Sequence, residues 1–462
     1  MLRNRYDPMN VFDSVPALSY DMEPVFPRLD LLLEDDPLVQ TVKADLAKRF
    51  PQTLVNGRPS TPVEVILRMI VVKHLYNWSY EETEHFVADS LVLRQFCRVY
   101  FNAVPDDTTL MRWANLIQPA TLHTLLDHVA QLAAQLKVTR GRKLRVDSTA
   151  VETNIRYPTD SRLLADGVRV VSRLLKQSRT VVGEAAGTLH DDFRSRTRSA
   201  QQHLQRIYKA VRQRGEEAGE RVVRAYRDLV CVTQASLDQM GRVRRVLEQK
   251  TTKQADHLRR QMDHYQDLIE KVIDQTRQRV FDGKTVPAAD KVVSLFEPHT
   301  DIIRRGRVGQ PVEFGRKVWL GEVEGGIVSE FRILEGNPPD SAPVLESVAH
   351  HCTIFGKPPS LLAGDRGTYS PENESQAKAQ GVKNVVLPQK GGKSKERQAY
   401  ERQQWFRAGR RWRTGIEGRI SVLKRRHGLD RCLYHGENGM ERWVGWGIIA
   451  HDLRQIALAT AG

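Results

Sequence analysis

Residues 187–282 are rich in Arg, Gln, Glu and Asp, and their few apolar residues fall at helical spacing. Leu204, Tyr208 and Val211 form one stripe; Val222, Tyr226, Leu229 and Thr233 form a second; Leu258, Met262, Tyr265, Ile269 and Val272 form a third. Stripes of this kind are ordinary helix-packing faces rather than a cofactor site. The block therefore reads as two or three long antiparallel helices, with breaks at Gly215 and Gly219 and again over 249–252. DNA clamping, dimerisation and simple spacing would all suit it. Sheet periodicity lies only outside this block, so a sheet has to be assembled from both of its flanks.

On the upstream flank, residues 61–118 are helical in pattern. Thr61 reads as an N-cap with Pro62 at the first helical position, Ser79 and Glu82 as a capping box, and Asp107 as the cap of a third helix. Short helices with tight joins suit a helix-turn-helix reader whose third helix presents Thr108, Thr109 and Arg112, or else an ordinary helical bundle. The period then changes. Leu144 and Val146 alternate with polar residues, as in a half-buried strand. Aspartate is disfavoured in strands, so Asp147 marks either a turn at the strand end or a metal ligand held by the sheet. A helix over 163–174 follows, with Asp160 as its cap.

On the downstream flank, strands are expected at 302–303, 312–323 and 327–334, the last two joined as a hairpin through Gly325 and Gly326. A helix over 340–355 leads to the short apolar run 360–365, a buried strand that ends in Asp365. Open α/β sheets place their sites at such C-terminal strand edges. A helix over 371–380, a strand over 382–387, a basic mobile loop over 389–402 and a long helix over 405–427 complete the pattern. A last apolar helix carries Trp443 and Trp446 as core residues.

Net charge is +15, which points to a polyanionic partner, most simply nucleic acid. No apolar run approaches the roughly 18 residues of a membrane span, and the first residues have no apolar leader segment. Cys97, Cys231, Cys352 and Cys432 lie far apart, without a zinc-knuckle or disulfide spacing. A cytoplasmic, nucleoid-associated protein is the expectation.

Arg413, Glu417, Ile420 and Lys424 fall at i, i+4, i+7 and i+11, one face of a helix. The chain order is thus a strand with Asp147, a hairpin, a strand with Asp365, and a helix with Glu417. Three carboxylates without His or Cys suit two Mg²⁺ or Mn²⁺ ions better than zinc. Arg413 and Lys424 could hold DNA phosphates beside them, and Arg425 and Arg426 continue the same helix as backbone contacts. His299 and His427 read as structural histidines.

The spacing Arg-x3-Glu-x6-Lys formed by Arg413, Glu417 and Lys424 resembles the last-acid motif of bacterial insertion-sequence DDE transposases. Arg410 stands where that family usually has Tyr. Asp365-Arg366-Gly367-x-Tyr369 resembles the second-acid motif, and Val146-Asp147-Ser148-Thr149 the first. Within the family the chain is most similar to the ISNCY group, through 157–161, 296–301 and 442–447. The resemblance implies an α+β or α/β fold: a ribonuclease-H-like mixed sheet with flanking helices, a helical N-terminal domain and a long helical insertion. It divides the chain into a tail with a short helix (1–55), a DNA-binding-type domain (56–135), a catalytic domain (140–180 and 290–462) and an insertion between the first and second acids (181–289). It further implies Mg²⁺, double-stranded DNA as element end and target, and at least a homodimer for synapsis. A nuclease of the same fold without strand transfer, and a non-catalytic DNA-binding scaffold, are the alternatives.

Overall fold

The computed structural model describes residues 1–15, 25–48, 51–57, 59–183, 189–213, 216–307 and 310–460. The chain forms two compact units, Met1–Asn154 with Gly315–Gly462, and Ile155–Phe314. Both sheet and helix are plentiful, and the sheet is mixed, so the fold is mixed α+β.

In the first unit, α1 (Val25–Leu33), α2 (Asp36–Lys48), α3 (Val63–Tyr76), α4 (Tyr80–Asp89), α5 (Leu91–Phe96), α6 (Asp107–Leu116) and α7 (Pro119–Gln135) precede β1 (Lys143–Thr153). The Ser79 capping box forms: the Ser79 hydroxyl accepts from the Glu82 amide at 3.0 Å, and the Ser79 amide donates to Glu82 at 2.7 Å. Two expected caps are displaced. The N-cap of α3 is Pro62 rather than Thr61, and that of α6 is Asp106 rather than Asp107. Asp106 wins because its carboxylate accepts from the Thr109 amide at 2.8 Å, satisfying a free helix-terminal donor.

Of β3 (Gln310–Val323), the residues from Gly315 onward belong to this unit, with β4 (Val328–Leu334), α12 (Val344–Phe355), β5 (Leu361–Ala363), α13 (Pro371–Ala379) and β6 (Asn384–Val386). After them come α14 (Lys395–Arg402), α15 (Gln404–Arg413), α16 (Gly415–His427), β7 (Arg431–Cys432) and α17 (Glu437–Ala459). The strand order is β4-β3-β1-β5-β6. β3 runs antiparallel to β1 and β4, while β5 and β6 run parallel to β1. The hairpin turn uses Gly325 and Gly326, both at positive φ. Leu144 and Val146 point into the core from one face of β1, leaving Arg145 and Asp147 on the other. Trp443 and Trp446 are core residues of α17, which packs on α3 and α7.

Two downstream expectations are corrected. The basic loop over 389–402 is in large part helix α14, capped by Ser394 and tied down by Arg397, which donates to Glu401 at 2.9 Å and to Glu374 at 2.5 Å. The helix over 405–427 is two helices, α15 and α16, joined at Thr414.

The second unit holds α8 (Asp160–Val182), α9 (Thr197–Val211), α10 (Glu216–Glu248), α11 (Lys253–Thr276) and β2 (Asp301–Arg307). Its core joins Val168 and Leu174 of α8 to Leu229 and Met240 of α10 and Met262 and Ile269 of α11. The break over 249–252 is present, with Thr252 capping α11. Gly219 breaks nothing and lies within α10; Gly215 lies outside the described residues. Thr159, not Asp160, caps α8. Asp160 is buried instead, accepting from Gln275 at 2.9 Å and Arg279 at 2.6 Å.

Among the described residues no helix is long and apolar enough to cross a membrane.

Candidate active site

The register of two strands sets the first acids. Arg145 of β1 pairs with Ala363 of β5 in parallel. Asp147 and Asp365 each lie two residues further along their own segments, and the charge of Asp365 reaches the Asp147 carboxyl. Asp147 sits in mid-strand, which removes the turn explanation for it. Asp365 lies just past the end of β5, and its Oδ1 accepts from the amides of Gly367 at 2.8 Å and Thr368 at 3.1 Å. A third carboxylate, Asp340, approaches the same point: a Cβ at Gly367 would lie 3.2 Å from both Asp340 and Asp365 oxygens. Asp340 also pairs with Lys317 of β3 at 2.8 Å.

Arg413 ends α15 and joins the first acid to the last. Its guanidinium donates to Asp147 at 2.6 Å and to Glu417 at 2.7 Å. Glu417 lies in the first turn of α16 with its side chain 65 % exposed. Burial pushes the Asp147 carboxyl up to about 6; Arg413 and the Ser148 amide pull it down, and the charges of Asp365 and Asp340 push it further up.

A buried ion network holds these elements in place. Glu322 of β3 is fully buried and stands directly across from Arg145 in the ladder. It accepts from Arg145 at 2.6 and 2.9 Å and from Arg419 of α16 at 3.3 Å. Arg145 also donates to the Trp412 carbonyl at 2.5 Å, at the joint between α15 and α16. A Cβ at Gly415 would collide with the Arg145 guanidinium, and one at Gly326 with that of Arg419. Arg419 donates to His451 Nε2 at 2.8 Å, so His451 is neutral and its Nδ1–H donates to Asp452 at 2.8 Å.

The remaining expected residues are spread more widely. Lys424, Arg425 and Arg426 form the last turn of α16, where the helix dipole favours cations. Lys424 is half-buried, and Arg425 and Arg426 are exposed. Arg112 is exposed on α6, but the Thr109 hydroxyl is engaged by Asp106 at 2.9 Å. His427 is buried with Nδ1 3.1 Å from the His74 carbonyl, and His299 lies 3.6 Å from Glu297, as structural histidines do.

The donor set fits a hard divalent cation. It offers carboxylate oxygen only, and a cationic guanidinium already bridges Asp147 and Glu417. Among the described residues no three His, Cys, Asp or Glu side chains lie together at ligand spacing, and Glu417 is held by Arg413.

Residues 23–116 match the family described as "Transposase domain (DUF772)", and residues 373–457 match "Transposase DDE domain". The two matches support an insertion-sequence DDE transposase. The DDE match spans Glu417 and Lys424 and begins beyond Asp365; neither description names the ISNCY group. A curated relative, "Uncharacterized protein ORF8 in nfe locus" of Rhizobium meliloti, is 28% identical over 127 residues, covering 26% of this chain and 61% of that protein. No solved structure matches the chain.

Sequence reasoning missed Glu322, Arg145, Arg419 and Asp340. No local signal marks Glu322, because β3 also carries Glu313, Arg316 and Lys317.

Proposed function

We propose that this transposase binds the inverted ends of its element as double-stranded DNA and carries out metal-dependent strand cleavage and strand transfer. The observation that carries the reading is Arg413 linking Asp147 to Glu417, with the charge of Asp365, just past the parallel neighbour β5, acting on Asp147. The strand order β4-β3-β1-β5-β6, with β3 antiparallel, supports a ribonuclease-H-like sheet. Asp147, Asp365 and Glu417 would hold two divalent ions, Mg²⁺ or Mn²⁺. Such ions, when bound, activate a water or 3′-hydroxyl and stabilise the leaving oxygen. Arg413, released from Glu417, turns its guanidinium to a phosphate. Lys424, Arg425 and Arg426 hold the DNA backbone along α16, and Arg112 contacts DNA from the N-terminal helices. Synapsis of two ends calls for at least a homodimer, and the work is done on the nucleoid in the cytoplasm.

The test is cleavage of a labelled duplex carrying the element's own end, with Mg²⁺ or with EDTA, by the wild type and Glu417→Gln. Metal-dependent nicking lost in the variant is the expected result. Nicking that persists in Glu417→Gln removes that acid from the site, and cleavage that never joins strands to a target leaves a nuclease.

A further inference from the structure

In the second unit several surface cations are matched by acids. Arg169 pairs with Asp166, Arg242 with Asp192, Arg244 with Asp263 and Glu248, Arg259 with Asp256, and Arg279 with Asp160. The outer face of α9 departs from this. Arg198, Gln201, Gln202, Gln205, Arg206 and Lys209 recur at i, i+3, i+4, i+7, i+8 and i+11, so they share one side of the helix. All six are exposed, and they line one open cleft. The opposite stripe of Ala200, Leu204 and Ile207 is buried, and α9 packs on α8 and α10. None of the six is acidic, and among the described residues Arg198, Arg206 and Lys209 have no acidic partner.

We propose that this face of α9 binds the sugar-phosphate backbone of duplex DNA, independently of base sequence; this rests on the DNA-binding reading above. Arg198 to Lys209 spans roughly 16 Å of helix at 1.5 Å per residue, about five base-pair steps of DNA. Cations and glutamine amides donate to phosphate oxygens without reading bases. The face carries no aromatic or large apolar anchor. A protein partner would need one for a binding hot spot, and a single strand would need one for base stacking.

The experiment uses the full chain and a fluorescein-labelled random-sequence duplex, with affinity followed by anisotropy as NaCl is varied. The triple variant Arg198→Gln/Arg206→Gln/Lys209→Gln should lower the slope of log K against log salt by about 2 to 3, at about 0.9 per phosphate. Its far-UV circular dichroism should match the wild type, because all three side chains are exposed. A control variant, Arg169→Gln/Arg242→Gln/Arg244→Gln, removes the same charge from paired positions and should shift the slope by less than about one. Equal shifts in both variants would reduce the effect to net charge and overturn the proposal. An unchanged slope in the α9 variant, with the wild type still binding, overturns this surface alone. Loss of binding to polyglutamate but not to duplex reassigns the face to an acidic protein. A wild type that fails to bind duplex at any salt removes the DNA reading itself.

Discussion

Glu322 grips the guanidinium of Arg145 through two hydrogen bonds, at 2.6 and 2.9 Å, from a fully buried position directly across the ladder. The same carboxylate holds Arg419, two residues from Glu417, while Arg145 is two residues from Asp147. One buried charge therefore ties the strand of the first acid to the helix of the last. Glu322→Gln leaves two guanidinium groups short of a counter-charge. It should destabilise the protein by about 3–5 kcal/mol, the usual cost of breaking a buried pair from one side. Guanidinium chloride denaturation checks this; a loss below about 1 kcal/mol would mean that the arginines find other partners.

Asp147→Asn, Asp365→Asn and Glu417→Gln should each abolish strand cleavage and leave duplex binding within about twofold of wild type, since none of these groups attracts phosphate. Asp147→Asn should also be at least as stable as the wild type in EDTA, because burial already disfavours the charge at that position. Gel-based cleavage, anisotropy and thermal melting separate these effects. Metal-dependent cleavage surviving in any of the three would show that acid to be misassigned.

Lys424 lies in the last turn of α16, on the helix that carries Glu417. Lys424→Ala should weaken binding to the element end and reduce the salt slope by about one unit, as removal of one phosphate contact does. An unchanged slope would put Lys424 off the DNA.

Acid should weaken this fold from just below neutrality. Burial holds the imidazole of His351 down to about 4 and that of His427 down to about 3, and that of His74 well below its usual range. A histidine depressed in the folded state contributes stability that is present above the unfolded value near 6.5 and is lost as pH falls toward the folded value. For His351 alone the contribution is on the order of 3 kcal/mol. Asp147 works in the opposite sense, favouring the fold as pH falls through about 6, and His451 and Asp452 oppose each other. The hydrogen bond to Asp127 raises His350 and burial raises Asp166, which also favour the fold in acid, but the three strongly depressed histidines outweigh them and leave a net loss between pH about 6.5 and 4. Denaturation midpoints across that range check the sign; a midpoint that is flat or rises toward acid would contradict it.

Some of the site was open to reading because its cues are local. A short apolar run ending in aspartate marks Asp365, since a buried strand has to show its polar end at an edge. Alternation around Asp147 marks a strand. Other features depend on partners distant in the chain. The break at Thr414 has no proline to announce it; Arg145, far upstream, occupies the Trp412 carbonyl at that joint. Helix α14 has local cues in its Ser394 cap and its Arg397–Glu401 pair, while Glu374, which anchors Arg397 from outside, is distant in the chain. Asp340 reaches the site through a loop, and Glu322 looks like any strand glutamate until its two arginines are brought to it.

Sequence by itself determined the helical N-terminal region, the long polar helices between the sheet segments, the hairpin, and the order of the three acids, because periodicity and turn chemistry act over a few residues. Tertiary structure alone decided that Asp365 comes within reach of Asp147, that Arg413 bridges Asp147 to Glu417, and that Glu322 locks β1 to α16. Those relations join residues far apart in the chain, through strand register and buried charge, and no local pattern encodes either.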